Sequence, residues 1–379
     1  MRIRLRTIGI LVTAAAALAP AGSADAHAGH CTHPPPQQST GSGLTLTPVA
    51  SIGQLTNMAT APGDPPDRLY VTERAGRVDV VDGGVVRTFL DLSSEVEPTV
   101  EATGENGMQS VAFAPDYATS RRLYVFYSDA NGDSRVDEFL ATPDFQSADM
   151  STRRHILFVE HSWSSRHYGG QLLFRGNRLL ISLGEGQRPH YAQENPLYGR
   201  IVSLDPSRPR GSRHLVAKGM RNPFHFTIDP FTNDLLVADV GEETHEEVDV
   251  IPPRLIGKAN LGWPYLEGNR RLRPGTVKHY VKPAITYDHH VGTAIIGGRV
   301  IRDPRLPQLR GRYLFADFCD AWLAIGRLHR RHPSWRKTGI VTYAPTAFGE
   351  DTAHRLYVAS SSGELYRIDP ATPSSPSGL

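Results

Sequence analysis

The stretch Arg355-Leu-Tyr-Val-Ala-Ser-Ser-Ser-Gly-Glu-Leu-Tyr-Arg-Ile368 consists of a short apolar strand, a turn of small residues and a returning strand. The pattern occurs five more times, beginning at Arg68, Arg122, Arg178, Asp234 and Arg312. Counted from the second residue of each copy (positions 69, 123, 179, 235, 313 and 356), successive copies lie 54, 56, 56, 78 and 43 residues apart. Nearly continuous apolar strands are expected where a sheet is covered on both faces. The repeat predicts an all-β fold, a six-bladed β-propeller of four-stranded antiparallel blades.

The composition agrees with many short strands joined by turns. The 379 residues include 35 Gly and 29 Pro but only 5 Met, and long helical runs are absent. The long fourth step contains residues 260–282, which predicts an insertion on one rim of the ring. Loops of this kind gather at the ends of a propeller's central channel, where ligands bind.

The N-terminus resembles an export signal, with Arg2, Arg4 and Arg6 followed by an apolar run and the small-residue site Ala24-Asp-Ala26. We expect a signal peptide at 1–26, a flexible leader at 27–43, the propeller at 44–369 and a disordered tail at 370–379. The apolar run is shorter than the roughly 20 residues that span a bilayer, so we expect a secreted protein without a membrane anchor.

The charge is nearly balanced, with 41 basic and 39 acidic residues and a formal net charge of +2. Proteins that bind nucleic acid usually have a strongly basic domain or surface stripe. We therefore expect no nucleic-acid partner and no other polyanionic macromolecule.

The chain has only two cysteines, Cys31 and Cys319. Because an exported protein meets oxidising conditions, one disulfide between them is allowed, and two unpaired thiols are the alternative. Cys31 also lies among His27, His30 and His33, which could hold a transition metal. Incidental composition explains this histidine-rich terminus better.

Five ordered groups of motifs resemble the soluble quinoprotein glucose/sorbosone dehydrogenase family and cover roughly residues 50–368. They are Gly104-Glu-Asn-Gly-Met-Gln-Ser-Val-Ala-Phe-Ala-Pro-Asp-Tyr117; His167-Tyr-Gly-Gly-Gln-Leu172 with Gly184-Glu-Gly186; Gly219-Met-Arg-Asn-Pro223 with Asp239-Val-Gly-Glu242 and Asn260-Leu-Gly-Trp-Pro264; Gly311-Arg-Tyr-Leu-Phe-Ala-Asp317; and Phe348-Gly-Glu-Asp351. The resemblance implies hydride transfer from a sugar to pyrroloquinoline quinone, with Ca²⁺ as a second cofactor and an external electron acceptor.

Three residues are the catalytic candidates: His167, Glu185 and Arg221. An imidazole titrates near neutrality and can take a proton from a sugar hydroxyl, and a carboxylate at Glu185 can orient its other nitrogen. The guanidinium of Arg221 can stabilise negative charge on a reduced quinone. From the residues alone, a histidine bonded to a loop carbonyl remains the alternative for His167.

The resemblance implies that Glu105, His167, Arg221 and Asn222 contact the quinone. Several relatives have a cofactor-contacting glutamine at the position of Glu105, and an anion there suits a quinone less well than an amide. The alternative for Arg221 and Asn222 is a structural pair that joins adjacent blades.

The resemblance also implies a calcium site at Gly241, Glu242 and Glu247, with Glu246 and Asp249 as further carboxylates. Backbone carbonyls and carboxylates are the oxygen ligands that calcium prefers. A solvated acidic turn is the alternative.

The sequence departs from the family in its last two blades. Where characterised members have basic residues for the cofactor's carboxylates, this chain has Cys319, Tyr343 and Pro345. Candidates for compensating cations are Arg166, Arg188, Lys218 and Arg299. The missing charges favour one alternative, a non-catalytic extracellular propeller that binds carbohydrate or protein. A second alternative is a calcium-dependent lactonase-type hydrolase, because other six-bladed propellers hydrolyse esters at an axial metal.

Overall fold

Six four-stranded antiparallel sheets, arranged as blades of a propeller, make up the computed structural model of this chain, which describes Cys31, residues 43–96 and residues 104–371. Strand β1 (Leu44–Ser51) precedes the first blade. Blades 1 to 3 contain β2 Leu55–Ala59, β3 Arg68–Glu73, β4 Arg77–Asp82, β5 Val85–Asp91; β6 Met108–Phe113, β7 Arg122–Ser128, β8 Ser134–Ala141, β9 Ala148–Val159; and β10 Gly169–Arg175, β11 Arg178–Leu183, β12 Arg200–Leu204, β13 His214–Lys218.

Blades 4 to 6 follow the same order, except for an insertion within blade 4. Their strands are β14 His225–Ile228, β15 Leu235–Asp239, β16 His245–Ile251, β20 Ile285–Asp288; β21 Ile295–Val300, β22 Tyr313–Asp317, β23 Trp322–Arg327, β24 Ser334–Val341; and β25 Pro345–Glu350, β26 Leu356–Ser360, β27 Glu364–Pro370. Helices are short, namely α1 Tyr117–Ser120, α2 Tyr191–Glu194 and the 3₁₀ turns Pro253–Leu255 and Pro307–Leu309. In the described part of the chain, no helix is long and apolar enough to cross a membrane.

The six repeats found in the sequence are the second strands of the six blades, so the predicted architecture is confirmed. Their residues are almost all buried because each sheet is covered by a blade on both sides.

The ring is closed by β1, which the repeat analysis did not assign to a blade. It pairs antiparallel with β27, from Leu44 opposite Pro370 to Ser51 opposite Glu364, and supplies the fourth strand of blade 6. Joining the first strand to the last blade covers the edge of β27 and fastens the two ends of the propeller together.

The predicted insertion lies between β16 and β20. It contains β17 (Ala259–Asn260), which pairs in parallel with the outer strand of blade 3, and the hairpin of β18 (Leu266–Glu267) and β19 (Arg270–Arg271). Trp263 of the insertion is only 3% exposed, so its ring packs in the interior. The insertion thus lies against blade 3 at the end of the ring that carries the candidate site.

Buried polar contacts fill the hub. Asn57 on β2 and His225 on β14 come from blades 1 and 4, opposite each other in the ring, and Asn57 Nδ2 lies 3.2 Å from His225 Nε2. Burial lowers the pKa of His225 to about 3, so this histidine is neutral at physiological pH. The centre of the propeller is therefore a packed core.

Among the earlier expectations, the signal peptide, almost all of the leader with His27, His30 and His33, and residues 372–379 of the tail lie outside the described residues. Pro370, the first residue of the expected tail, is the last residue of β27. Cys31 is one of the two described residues of the leader, with Gly43. It forms a disulfide with Cys319, 288 residues further along the chain, so that pairing is confirmed.

Candidate active site

A cavity of about 430 Å³ lies at one end of the propeller axis. This volume falls within the range of about 300–1,000 Å³ that is typical of small-molecule sites. Residues from all six blades line it, and they include three of the sequence candidates for catalysis or binding on blades 3 and 4, His167, Arg221 and Asn222, together with Glu105.

The backbone around His167 is tightly constrained. His167 has a left-handed φ of 59°, and the two glycines at 169 and 170 that follow it in the motif also have positive φ. A Cβ at Gly184 would lie 1.9 Å from the His167 carbonyl oxygen, so position 184 requires glycine. This close approach of two loops sets the position of the imidazole in the cavity wall.

His167 and Glu185 form a buried pair. The distance from His167 Nδ1 to Glu185 Oε1 is 2.5 Å, and the two residues are 6% and 1% exposed. The backbone N–H of Gln187 also donates to Oε1 at 3.0 Å, whereas Oε2 is buried without a hydrogen-bond partner. Burial raises the pKa of Glu185 to about 8, although the charge of Arg221 opposes this shift.

Arg221 is held in place through its backbone. Its N–H donates to Asp239 Oδ2 at 2.9 Å, and its carbonyl accepts the N–H of Glu185 at 2.8 Å. The guanidinium donates through Nη1 to the Val240 carbonyl at 3.3 Å and lies 5.9 Å from the centre of the Trp263 ring. Its Nε is buried without a hydrogen-bond partner, so an anion in the cavity could supply one.

Asn222 connects three parts of the site. Its Nδ2 donates to both carboxylate oxygens of Glu105, at 3.0 and 3.1 Å, and its Oδ1 accepts the N–H of Gly169 at 3.0 Å. Glu105 also accepts the backbone N–H groups of His167 and Tyr168. Burial raises the pKa of Glu105. Joining adjacent blades was the structural alternative for Arg221 and Asn222; Asn222 does bond to Gly169 of blade 3, and both Asn222 and Glu105 also line the cavity.

Arg74 is a cavity residue that sequence reasoning missed. Arg74 comes directly after β3, the second strand of blade 1, and Glu185 comes just after β11, the second strand of blade 3. The repeat therefore indicated that the residue after a second strand lies near the site. The Arg74 guanidinium donates to the carbonyls of Gly104 and Asn106. Burial lowers the pKa of Arg74, partly offset by the charge of Glu105.

Of the four cations suggested as compensation, Arg166 lines the cavity. The other three are engaged elsewhere. Arg188 lies 3.8 Å from the centre of the Trp163 ring, Lys218 donates to the Gln193 carbonyl, and the buried Arg299 donates to Thr227.

The wall from blades 5 and 6 has no charge at the positions where the family has basic residues. Cys319, in its disulfide with Cys31, and Tyr343 both line the cavity, while Pro345 begins β25. The cationic side of the cavity is therefore formed by blades 1 to 4.

The structure does not bring the predicted calcium ligands together as one set of side chains. Glu247 is fully buried opposite Asp239, and its pKa is raised by burial and by Asp249. Glu242, next to Gly241, is only partly buried, and its carboxylate lies 3.6 Å from Arg273. In the ranges that the structure describes, no three or more His, Cys, Asp or Glu side chains are arranged to hold a metal.

The chain belongs to the Glucose / Sorbosone dehydrogenase family, whose pattern matches residues 56–332. It is 30% identical over 223 residues to the aldose sugar dehydrogenase YliI of Escherichia coli, covering 52% of this chain and 57% of that protein. It is also 23% identical over 374 residues to mouse Hedgehog-interacting protein, covering 83% of this chain and 51% of that protein. The chain thus matches between half and three-fifths of the length of these two curated relatives.

A solved structure has the same fold. The PQQ-bound aldose sugar dehydrogenase of Streptomyces coelicolor superimposes with a TM-score of 0.66 at 18% identity, over 86% of this chain and 97% of that one. The family and the propeller predicted from the repeats and motifs are therefore confirmed.

Proposed function

We propose that this chain is an exported oxidoreductase that oxidises a sugar at an alcohol or aldehyde carbon and passes the electrons to pyrroloquinoline quinone. The observation that carries the proposal is the buried pair of His167 and Glu185, in which His167 lines the cavity together with Arg221 and Glu185 lies behind it, outside the lining. Membership of the Glucose / Sorbosone dehydrogenase family supports it.

The residues present fit a polyanionic quinone in one half of the cavity. Arg221 has a buried Nε without a partner, and Arg74 and Arg166 line the same space. Asn222, His167 and these arginines would hold the cofactor. The bound quinone would accept a hydride from the sugar carbon.

His167 would act as the general base. Its Nδ1 is engaged by Glu185, so the opposite ring nitrogen, Nε2, would take the proton of the sugar hydroxyl. An ionised Glu185 fixes Nδ1 as the protonated nitrogen and favours the imidazolium that forms. Because the pair is buried, water competes poorly for this hydrogen bond.

Arg221 would stabilise charge as the quinone is reduced. Its backbone is held by Asp239 and Glu185, and its guanidinium donates to the Val240 carbonyl, so the guanidinium has a fixed contact before any ligand binds. The electrons would then pass to an external acceptor.

The experiment is reconstitution of the purified apoprotein with pyrroloquinoline quinone and Ca²⁺, followed by quinone absorbance and aldose-dependent dye reduction. We expect both signals. Binding without dye reduction over a panel of aldoses, or no binding at micromolar quinone, would overturn the proposal. Adding EDTA before the quinone tests the calcium requirement separately.

A second candidate is a propeller that binds carbohydrate or protein without catalysis. Two observations favour it, namely the uncharged wall formed by Cys319 and Tyr343 and the similarity to Hedgehog-interacting protein. It predicts a sugar-dependent rise in melting temperature in the absence of quinone, with no dye reduction after reconstitution.

A further inference from the structure

Blade 5 carries a group of arginines without acidic partners. Two lie just before β22, one ends β23, two lie in the β23–β24 turn and one lies on β24. In that order they are Arg310 and Arg312, Arg327, Arg330 and Arg331, and Arg336, and we call these six residues the arginine cluster. Five are exposed and Arg312 is half-buried. None of the six forms an ion pair with any residue that the structure describes.

The cluster lies at the end of the propeller opposite the cavity. Strand β22 runs from Tyr313 to Asp317, and Cys319, just after Asp317, lines the cavity. Tyr313 pairs with Gly326, so Arg312 and Arg327 mark the far end of the blade. A ligand on the cluster would therefore leave the cavity open.

Strand register places two of the arginines on one face. Arg327 pairs with Ser334, and Ile325 pairs with Arg336, so Arg327 and Arg336 are diagonal neighbours on the same side of the sheet. The pKa of Arg312 is lowered, first by burial and then by the charges of Arg327, Arg336 and Arg330. Four of the six arginines are thus close enough for Arg312 to be repelled by the other three.

Other arginines at this end of the ring are paired. Arg305 bonds to Asp303, and Arg302 forms an ion pair with Glu350. Near the cluster, Asp229 and Asp234 are engaged by His329, at 2.6 and 3.5 Å. The sequence has no acidic residue between Asp320 and Glu350, so the imbalance is local although the whole chain is nearly neutral.

We propose that the arginine cluster is a docking surface for an acidic polysaccharide. Guanidinium groups bind carboxylate and sulfate groups through paired hydrogen bonds, and a row of them matches a polymer with regularly repeated anions. This reverses the expectation, drawn from net charge, that the protein has no polyanionic partner. Net charge averages over the surface, whereas a polymer meets one face.

Two other polyanions fit this surface less well. Leu328 in the β23–β24 turn is buried, and the exposed Phe231 on the β14–β15 loop lies against the guanidinium of Arg310, 4.8 Å from its ring centre. The turn itself therefore has no large apolar side chain to insert into a membrane. Trp335 packs against Trp322 and Phe315, which leaves it engaged rather than presented for stacking on nucleic-acid bases.

The test measures binding of the full protein to polygalacturonate and to dextran sulfate, with neutral dextran, duplex DNA and anionic lipid vesicles as comparisons. The variant is Arg330→Glu/Arg331→Glu. The matched control is Arg210→Glu/Arg213→Glu, which makes the same change in net charge at exposed positions on blade 3. Melting temperature verifies that each protein is folded.

We expect binding to at least one acidic polysaccharide that weakens as salt increases, and no binding to neutral dextran. The cluster variant should lose at least tenfold in affinity while the control loses less than twofold. Preference for polygalacturonate or for dextran sulfate identifies the anion as carboxylate or sulfate. Absence of binding to both, equal losses in the two variants, or tighter binding to DNA or vesicles would overturn the proposal. The result does not depend on quinone or on enzymatic activity.

Discussion

Replacing Glu185 by Gln should make the protein more stable at neutral pH and much less active. Burial raises the pKa of this carboxyl from its ordinary 4.5 to about 8 in the folded chain. A raised pKa means that the folded state retains a proton which the unfolded chain releases, so stability is greatest below pH 4.5 and falls as the pH rises towards 8. At about 1.4 kcal/mol for each pKa unit, the fall between pH 4.5 and 7 is about 3 kcal/mol.

Gln removes this ionisation but keeps an oxygen that can accept hydrogen bonds from Gln187 and His167. The difference in unfolding free energy, variant minus wild type, should therefore grow by about 3 kcal/mol between pH 4.5 and 7. The base form of His167 needs an ionised Glu185, so wild-type turnover should rise with pH towards about 8. The variant should lose about 10²–10⁴-fold in turnover, the usual range for a disabled general base.

Urea unfolding at pH 4.5, 5.5, 6.5 and 7.5 measures the first effect, and dye reduction by the reconstituted enzyme measures the second. The control is Glu160→Gln, an exposed carboxyl, which should change neither. Two outcomes would refute the reasoning. One is an unfolding free energy with the same pH dependence in wild type and Glu185→Gln, and the other is wild-type turnover in that variant.

His167→Ala should abolish sugar-dependent dye reduction while quinone absorbance shows that the cofactor remains bound; unchanged turnover would remove His167 as the base. Arg74→Met should weaken quinone binding, measured by fluorescence titration, by at least tenfold, because it removes a charge worth about 1.5–3 kcal/mol in a charged hydrogen bond. Arg188→Met, which changes a cation stacked on Trp163 outside the cavity lining, should leave affinity unchanged, and equal losses would contradict a specific role for Arg74. Cys31→Ser should lower the free energy of unfolding by about 2–4 kcal/mol in urea and make it insensitive to dithiothreitol, whereas an unaltered stability would show that the disulfide does not constrain the fold.

Part of the site could be predicted because its residues occupy equivalent places in a repeat. The position of Glu185 just after the second strand of blade 3 predicted a carboxylate near His167, and the structure places them 2.5 Å apart. Arg74 occupies nearly the same place in blade 1, but nothing in its local sequence distinguishes it from a solvent-exposed arginine. The calcium prediction took Glu247 from its local acidic run, and only the strand register shows that it lies buried directly opposite Asp239.

By itself, the sequence determined the number of blades, the family and the lack of basic residues at three positions of the last two blades, those of Cys319, Tyr343 and Pro345. A continuous apolar run indicates that both faces of a strand are buried, and such a run can be recognised from neighbouring residues alone. Only the tertiary structure decided that β1 closes blade 6, that Arg74 and Arg221 share a cavity, and that the arginines of blade 5 form one surface. Each of these features brings together residues that are far apart in the chain, and the closing of the ring sets the distances between them.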